Sequence, residues 1–245
     1  MSLCVPRFRT GLSSGVRSGL LAIVAFTICL FAAKRAPAQK PQPDFENDYL
    51  TINAPHPSFE VPGFERKMHI HPFNRVMIYM HPGGEVLHFK DGHIEDLKWQ
   101  AGEVKWSPAQ GPHYSVISTD TPAFTGPMIV EVAIKKPGDP GTKATTALDP
   151  LRVDPKDCNV ELENDQVRVL RIKIGAHQKM PMHEFALNHL TVYITDQNVR
   201  QTWPEGKSEV MQHKPADYVW SGPSKQMIEN LNDGPFEELV VELRN

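Results

Sequence analysis

The chain has few of the features that assign a sequence to one of the large enzyme classes. It carries three cysteines in 245 residues, and two of them, Cys4 and Cys29, fall within the first 38. It contains no phosphate-binding loop, dinucleotide fingerprint or nucleophile elbow, and Cys158 has no matched histidine in the sequence. The sequence therefore offers no candidate nucleophile, and any chemistry must rest on other groups.

A basic cluster and a sustained helical pattern are also absent. No window of a dozen residues repeats apolar side chains at helical spacing. All five charges of the first 38 residues are basic, so removing that segment changes the formal charge from −3 to −8. We expect no nucleic-acid partner, because no basic surface would remain to neutralise phosphates.

The first 38 residues have the composition of an export signal. Arginines precede an apolar run from Leu20 to Ala33, and "APA" ends at Ala38 with small residues at the positions that a signal peptidase reads. The run has 14 residues, fewer than the about 20 needed to span a bilayer. We predict that residues 1–38 are a cleaved signal peptide and that the protein is periplasmic or secreted. Because Lys34 and Arg35 follow the apolar run, an uncleaved membrane anchor is the alternative.

The rest of the chain repeats itself. With a shift of 114 residues, "MHIHPFNRVMIYM" at 68–80 falls on "MHEFALNHLTVYI" at 182–194, and Trp106 falls on Trp220. Other blocks match in the same order, so we infer an internal duplication. The predicted units are residues 39–134 and 151–245, joined by a linker at 135–150 that is rich in proline, glycine and threonine.

Each copy is predicted to be all-β. Short runs such as "VMIYM" and "LTVYI" are rich in β-branched and aromatic residues, and turn sequences such as "KDG" and "PEG" separate them. A repeat of roughly 100 residues built from many short strands suggests a closed or sandwich-like barrel, because closure removes exposed strand edges.

The first copy resembles the cupin superfamily, and the two copies together resemble a bicupin. The first cupin motif is matched by Gly63, His69, His71 and Gly83, with Arg75 or Val76 at the position of its glutamate. The second motif is matched by Gly102, Pro108 and His113, whereas Gln110 replaces a glycine and Ile117 replaces an asparagine. The resemblance implies two tandem cupin-type β-barrels, each a double-stranded β-helix or jelly roll.

Three histidines are the strongest candidates for metal ligands. Because alternate residues of a strand share one face, His69 and His71 are expected to point into the barrel, and His113 approaches from another strand. Three imidazoles with open positions suit a divalent transition metal such as Fe, Mn, Cu, Ni or Zn. The alternative is a relic site whose histidines only form hydrogen bonds inside the barrel.

Arg75 stands where a carboxylate ligand is expected, and its charge would repel a nearby cation. It either points into the barrel to bind a substrate carboxylate, or lies outside, paired with a surface acid such as Glu85. In the inward case we expect a bound anion to compensate its charge, since neither the histidines nor the apolar strand offers a negative group. Tyr79 shares the strand parity of Arg75 and is predicted to line the same cavity.

The second copy keeps little of this pattern. His183 remains, but Phe185 replaces the second histidine, His189 takes the carboxylate position, and Met227 falls on His113. We expect this barrel to have been retained for packing against its partner. A soft-metal site for Cu(I), formed by His183, His189 and Met227, is the alternative.

These observations lead to two hypotheses for the function. The first is an exported, metal-dependent bicupin, an oxygenase or isomerase that acts on a small organic molecule bound by Arg75 and Tyr79 in the first barrel. The second is a non-catalytic bicupin that has lost its metal and binds a small ligand or only packs. A homodimer is compatible with both, and a membrane is expected as a partner only if the N-terminal segment stays uncleaved.

Overall fold

β-Strands dominate the computed structural model, which describes residues 43–54 and 62–245. The predicted signal peptide lies outside the described residues. The first half of the described chain contains β1 (Phe45–Glu46), β2 (Leu50–Asn53), β3 (His69–His71), β4 (Asn74–Tyr79), β5 (Gly83–Phe89), β6 (Ile94–Trp99), β7 (Val104–Ser107), β8 (Gln110–Ile117) and β9 (Ile129–Ile134). The second half contains the short helix α1 (Pro150–Val153), β10 (Cys158–Glu163), β11 (Val167–Ile174), β12 (Lys179–Phe185), β13 (His189–Tyr193), β14 (Gln197–Thr202), β15 (Ser208–His213), β16 (Tyr218–Ser221), β17 (Ser224–Asn230) and β18 (Phe236–Leu243).

The two halves have the same topology. In the first half, one sheet has the order β1-β2-β9-β4-β7 and the other the order β3-β8-β5-β6. In the second half, the orders are β10-β11-β18-β13-β16 and β12-β17-β14-β15. Each strand thus has a counterpart nine strands later. The prediction of an all-β chain built from two tandem jelly-roll barrels is confirmed.

A shared apolar core lies between the two five-stranded sheets. Alternation along β4 places Val76 and Ile78 in this core, and Leu190 and Val192 of β13 lie in it as well. The intervening residues of each strand point the other way, into their own barrel. Each five-stranded sheet is therefore covered on both faces, which explains why "VMIY" and "LTVY" are nearly continuous apolar runs.

The end of the predicted linker is attached to the second barrel by buried charges. Asp149 caps α1, because its side chain accepts a hydrogen bond from the Leu151 amide at 3.0 Å. Asp149 also lies 2.8 Å from Arg168 Nη2, and Arg168 Nε donates to Glu242 at 2.6 Å. No helix among residues 43–54 and 62–245 is long and apolar enough to cross a membrane.

Candidate metal centre

The three histidines predicted as ligands lie together in the first barrel. His69 and His71 come from β3, and β8 places His113 directly opposite His69 in the strand register. Their ligand nitrogens all lie within 4.8 Å of one another. Within the part of the chain that the structure describes, this is the one group of three or more histidine, cysteine or acidic side chains with such spacing. The cluster therefore has the composition and spacing to hold a divalent metal ion.

Backbone contacts orient two of the imidazoles. His69 Nδ1 lies 2.7 Å from the Lys67 carbonyl oxygen, and His113 Nδ1 lies 2.8 Å from that of Gly111. Since a carbonyl oxygen only accepts, each Nδ1 carries the proton and each Nε2 carries a lone pair. The Nε2 atoms of His69 and His71 lie 3.1 Å apart. This arrangement matches metal-binding histidines, whose second nitrogen is held by a neighbouring acceptor.

Burial favours the neutral, metal-binding form of the imidazoles. Desolvation lowers the pKa of His69 and, with a further contribution from the Arg75 charge, lowers the pKa of His71 to about 2. Neutral imidazole is the form that ligates a metal, so little energy is needed to remove protons before binding.

Arg75 points into the barrel, so the interpretation that placed it outside with Glu85 is wrong. Its side chain is buried, and its Nη1 donates to Glu131 Oε2 at 2.9 Å. Its Nη2 donates to Ser107 Oγ at 2.7 Å and to Gln110 Oε1 at 2.5 Å. Glu85 instead accepts from Arg66 at 3.0 Å.

Glu131 also replaces the bound anion that the sequence led us to expect beside Arg75. It lies on β9, between Val130 and Val132 of the shared core, and therefore faces the barrel interior. Its Oε1 is 3.8 Å from His71 Nδ1, too far for a hydrogen bond. A carboxylate thus lies close to both the guanidinium and His71, and it offsets part of the Arg75 charge that opposes a metal.

A cavity of about 190 Å³ adjoins the three histidines. Arg75 and Tyr79, the two predicted substrate-binding residues, both line it. The Tyr79 ring stacks on Trp99 with centroids 4.5 Å apart, and desolvation together with the charge of Glu85 raises the pKa of its hydroxyl. This tyrosine is therefore a neutral side chain that can donate a hydrogen bond, not a general base at physiological pH.

The soft-metal alternative for the second barrel is wrong. The strand register pairs His183 with Gln226, not with Met227, so an amide occupies the place of His113. The sequence alignment missed this because β8 has one extra residue at a bulge, where His69 pairs with His113 but His71 pairs with Gln110. A constant shift of 114 residues therefore fails after that point.

Comparison with solved structures supports the same architecture. No protein-family model matches the sequence, and no significant match is found among curated proteins. AerE from Microcystis aeruginosa is 13% identical, with 80% of this chain and 86% of that chain covered and a TM-score of 0.52. The chain folds as a bicupin.

Two further matches among solved structures have lower TM-scores. Oxalate decarboxylase from Bacillus subtilis, a protein with Mn(II) centres, is 10% identical, with 79% of this bicupin and 67% of that chain covered and a TM-score of 0.47. A cupin domain from Bordetella pertussis is 18% identical and covers 36% of this chain and 92% of its own, with a TM-score of 0.34.

Sequence reasoning missed the acidic groups of the bicupin's first cavity. Glu131 was hidden in the apolar run "MIVEVAI", although a charged residue between core valines is a signal of an inward-facing functional group. Arg66 and Glu85 form a second ion pair that lines the same cavity. Glu131, Arg66 and Glu85 all lie outside the matched positions of the two motifs that identified the histidines.

Proposed function

We propose that this protein is an exported bicupin and a metal-dependent oxygenase or isomerase. Its first barrel binds a divalent transition metal through His69, His71 and His113. The same barrel acts on a small polar organic molecule. The observation that carries this proposal is the convergence of three imidazoles beside a cavity large enough for a small ligand. The metal would supply a Lewis acid that polarises or orients a substrate oxygen.

The cavity offers polar atoms that are ready for a ligand. Arg75 Nε and Ser115 Oγ are buried and have no hydrogen-bond partner among the described residues. Leaving such groups unpaired costs about 1–3 kcal/mol each, so a ligand that satisfies them would gain both affinity and orientation. In the proposed complex, Arg75 stays held by Glu131, Ser107 and Gln110, and a small shift of its side chain brings Nε to a substrate oxygen. Tyr79 extends from the same face of β4 and lines the same wall of the cavity.

Charge balance limits the class of substrate. Arg75 is neutralised by Glu131, and Arg66 by Glu85, so the cavity does not need an anionic ligand. We expect the cavity to bind a neutral or weakly charged molecule with several oxygens with an affinity equal to that for a simple carboxylate. This expectation replaces the anion pocket that was inferred from the sequence.

A non-catalytic ligand-binding bicupin is the second candidate. It is favoured by the same ion pairs, because the carboxylates that could transfer a proton in this cavity, Glu131 and Glu85, are already engaged with Arg75 and Arg66. The metal content of the protein separates the two functions, since the chain offers no nucleophile that could act in the absence of a metal.

The test is metal binding by the purified mature chain. After growth and purification without chelator, elemental analysis should find one equivalent of transition metal per chain. His113→Ala should abolish the bound metal, whereas His183→Ala, its matched control in the second barrel, should retain it. A chain without metal, two equivalents per chain, or loss of the metal through His183→Ala alone would contradict the proposal.

A further inference from the structure

The second barrel encloses a cavity of about 190 Å³, although it lacks the three-histidine cluster. Polar side chains from several strands line it, including Gln197, Gln201 and Gln226, together with Glu238 of β18. No lysine or arginine contributes to the lining of this cavity, in contrast to the first barrel. One hydrogen bond joins two of these amides, from Gln201 Nε2 to Gln226 Oε1 at 2.8 Å, and a polar cavity of this size still has room for water or a small ligand.

Glu238 is the charged group that distinguishes this cavity. Its side chain is 3% exposed and accepts one hydrogen bond, from Gln197 Nε2 at 2.9 Å. In the strand register Glu238 pairs with Tyr193, as Ile129 pairs with Tyr79 in the first barrel. The fold therefore accepts an apolar residue at this position, and burying a carboxylate there destabilises the chain unless a positive group meets it.

The other titratable groups of the cavity carry no positive charge at neutral pH. Desolvation lowers the pKa of both His189 and His213. The His213 ring stacks on Tyr193 with centroids 3.8 Å apart and an interplanar angle of 5°. The aromatic pair and the amides thus surround Glu238 without neutralising it, and they provide the ring faces and acceptors that favour a cation.

We propose that the second barrel binds a small organic cation of the ammonium or amidinium class, with Glu238 as its counter-ion. The cavity is close in size to one of about 150 Å³ that holds a benzene molecule, so one ring or a short chain bearing a single positive group fits. The amide oxygen of Gln201 remains as an acceptor for the other N–H groups of the ligand, and Gln226 Oε1, which accepts from Gln201 Nε2 at 2.8 Å, has one lone pair left. This site is independent of the function proposed for the first barrel.

The test compares three probes that share one ring and differ in charge. Calorimetric titration of the full mature protein at pH 8 should show one equivalent of benzylamine binding at least tenfold more tightly than benzyl alcohol, and no binding of benzoate. Glu238→Gln should weaken benzylamine at least tenfold, whereas Glu209→Gln, which removes the same charge from the exposed strand β15, should not change it. Equal affinity for amine and alcohol, no heat with any probe, or unchanged binding in Glu238→Gln would overturn the proposal.

A proton-linkage measurement on the unmodified protein tests the same site without a variant. Desolvation raises the pKa of Glu238 to about 7, so at pH 6 its carboxyl is mostly protonated. A cation must ionise it on binding, and about one proton should be released at pH 6 and almost none at pH 8.5. Glu238 acts electrostatically on Tyr193 of β13 and Cys158 of β10, and burial raises the pKa of both, that of the thiol to about 12. His189 of β13 and His213 of β15 line the same cavity, and desolvation lowers their pKa. Proton release that is the same at both pH values would contradict Glu238 as the counter-ion.

Discussion

At the scale of single residues, the ion pair between Arg75 and Glu131 determines whether a metal can bind beside a guanidinium. Glu131 contacts Arg75 at 2.9 Å and lies 3.8 Å from His71, so its charge offsets the arginine at the point nearest the ligands. Coulomb interactions over such distances are substantial where water is largely excluded. Glu131 therefore supports the metal centre without being one of its ligands.

Replacing Glu131 by glutamine should weaken both the metal site and the fold. Glu131→Gln leaves Arg75 buried without its counter-ion, and breaking a buried pair costs about 3–5 kcal/mol, less here because Glu131 is partly exposed. Loss of a group hydrogen-bonded to a metal ligand typically weakens metal affinity about 10–100-fold, and we expect a smaller loss here because Glu131 lies 3.8 Å from His71. Urea denaturation and metal titration measure the two effects. Glu209→Gln is the control for net charge. An unchanged metal affinity in Glu131→Gln would show that Glu131 does not act on the histidines.

Glu238 should make the stability of the protein fall as the pH rises. Its pKa is raised from 4.5 to about 7, so between these values the folded state binds more protons than the unfolded state. The contribution of Glu238 to the free energy of unfolding should then decrease by about 3 kcal/mol across this window and level off above it, while buried histidines with a lowered pKa contribute in the opposite direction in both proteins. The Glu238→Gln variant should lack this contribution. Urea denaturation of both proteins at pH 5 and pH 8 checks the difference, and parallel pH profiles would contradict the assignment.

At the scale of elements, the strands and the duplication were predictable because they follow from alternation and composition. The inward direction of His69, His71 and Tyr79 follows from the same alternation, and the structure places all three at one cavity. The identity of the residue opposite His183 was not predictable, because a one-residue bulge in β8 changes the register without a signal in the residue types. The partner of Arg75 was missed for a different reason, since Glu131 lies 56 residues away on a neighbouring strand.

Asp149 connects the linker to the second barrel, and we expect this connection to stabilise the protein. Asp149→Ala removes the cap of α1 and leaves the buried Arg168 with Glu242 alone. Loss of a cap costs about 1 kcal/mol and loss of a buried ionic partner several more, so we expect a destabilisation of about 3 kcal/mol. Asp139→Ala, in the exposed part of the linker, should cost less than about 1 kcal/mol. Thermal and urea unfolding compare the two variants, and equal effects would mean that Asp149 does not stabilise the barrel.

At the scale of the whole molecule, maturation decides the charge and the compartment. Residues 1–38 lie outside the described residues, so the proposal of export rests on the sequence. We expect protein recovered from the periplasm or the medium to begin at Gln39 and to carry a formal charge of −8 instead of −3. Intact-mass spectrometry measures this directly. A mass that retains residues 1–38, recovered with the membrane fraction, would favour the anchor.

The core shared by the two barrels should make them unfold together. Side chains from both five-stranded sheets form this one cluster, so neither barrel can expose its sheet without exposing that of the other. Phe185 tests this coupling, because it is 1% exposed and lies in the separate cluster inside the second barrel.

Phe185→Ala should cost about 3–5 kcal/mol. If unfolding is cooperative, hydrogen exchange should accelerate by the same factor in the slowest amides of β5 in the first barrel and of β14 in the second. Val210→Ala, which truncates a side chain that is 54% exposed, should leave the exchange rates of both strands unchanged. Acceleration confined to β14 would instead mean that the barrels are independent folding units. Stabilising the second barrel, for example by a ligand beside Glu238, would then have no effect on the lifetime of the metal site in the first barrel.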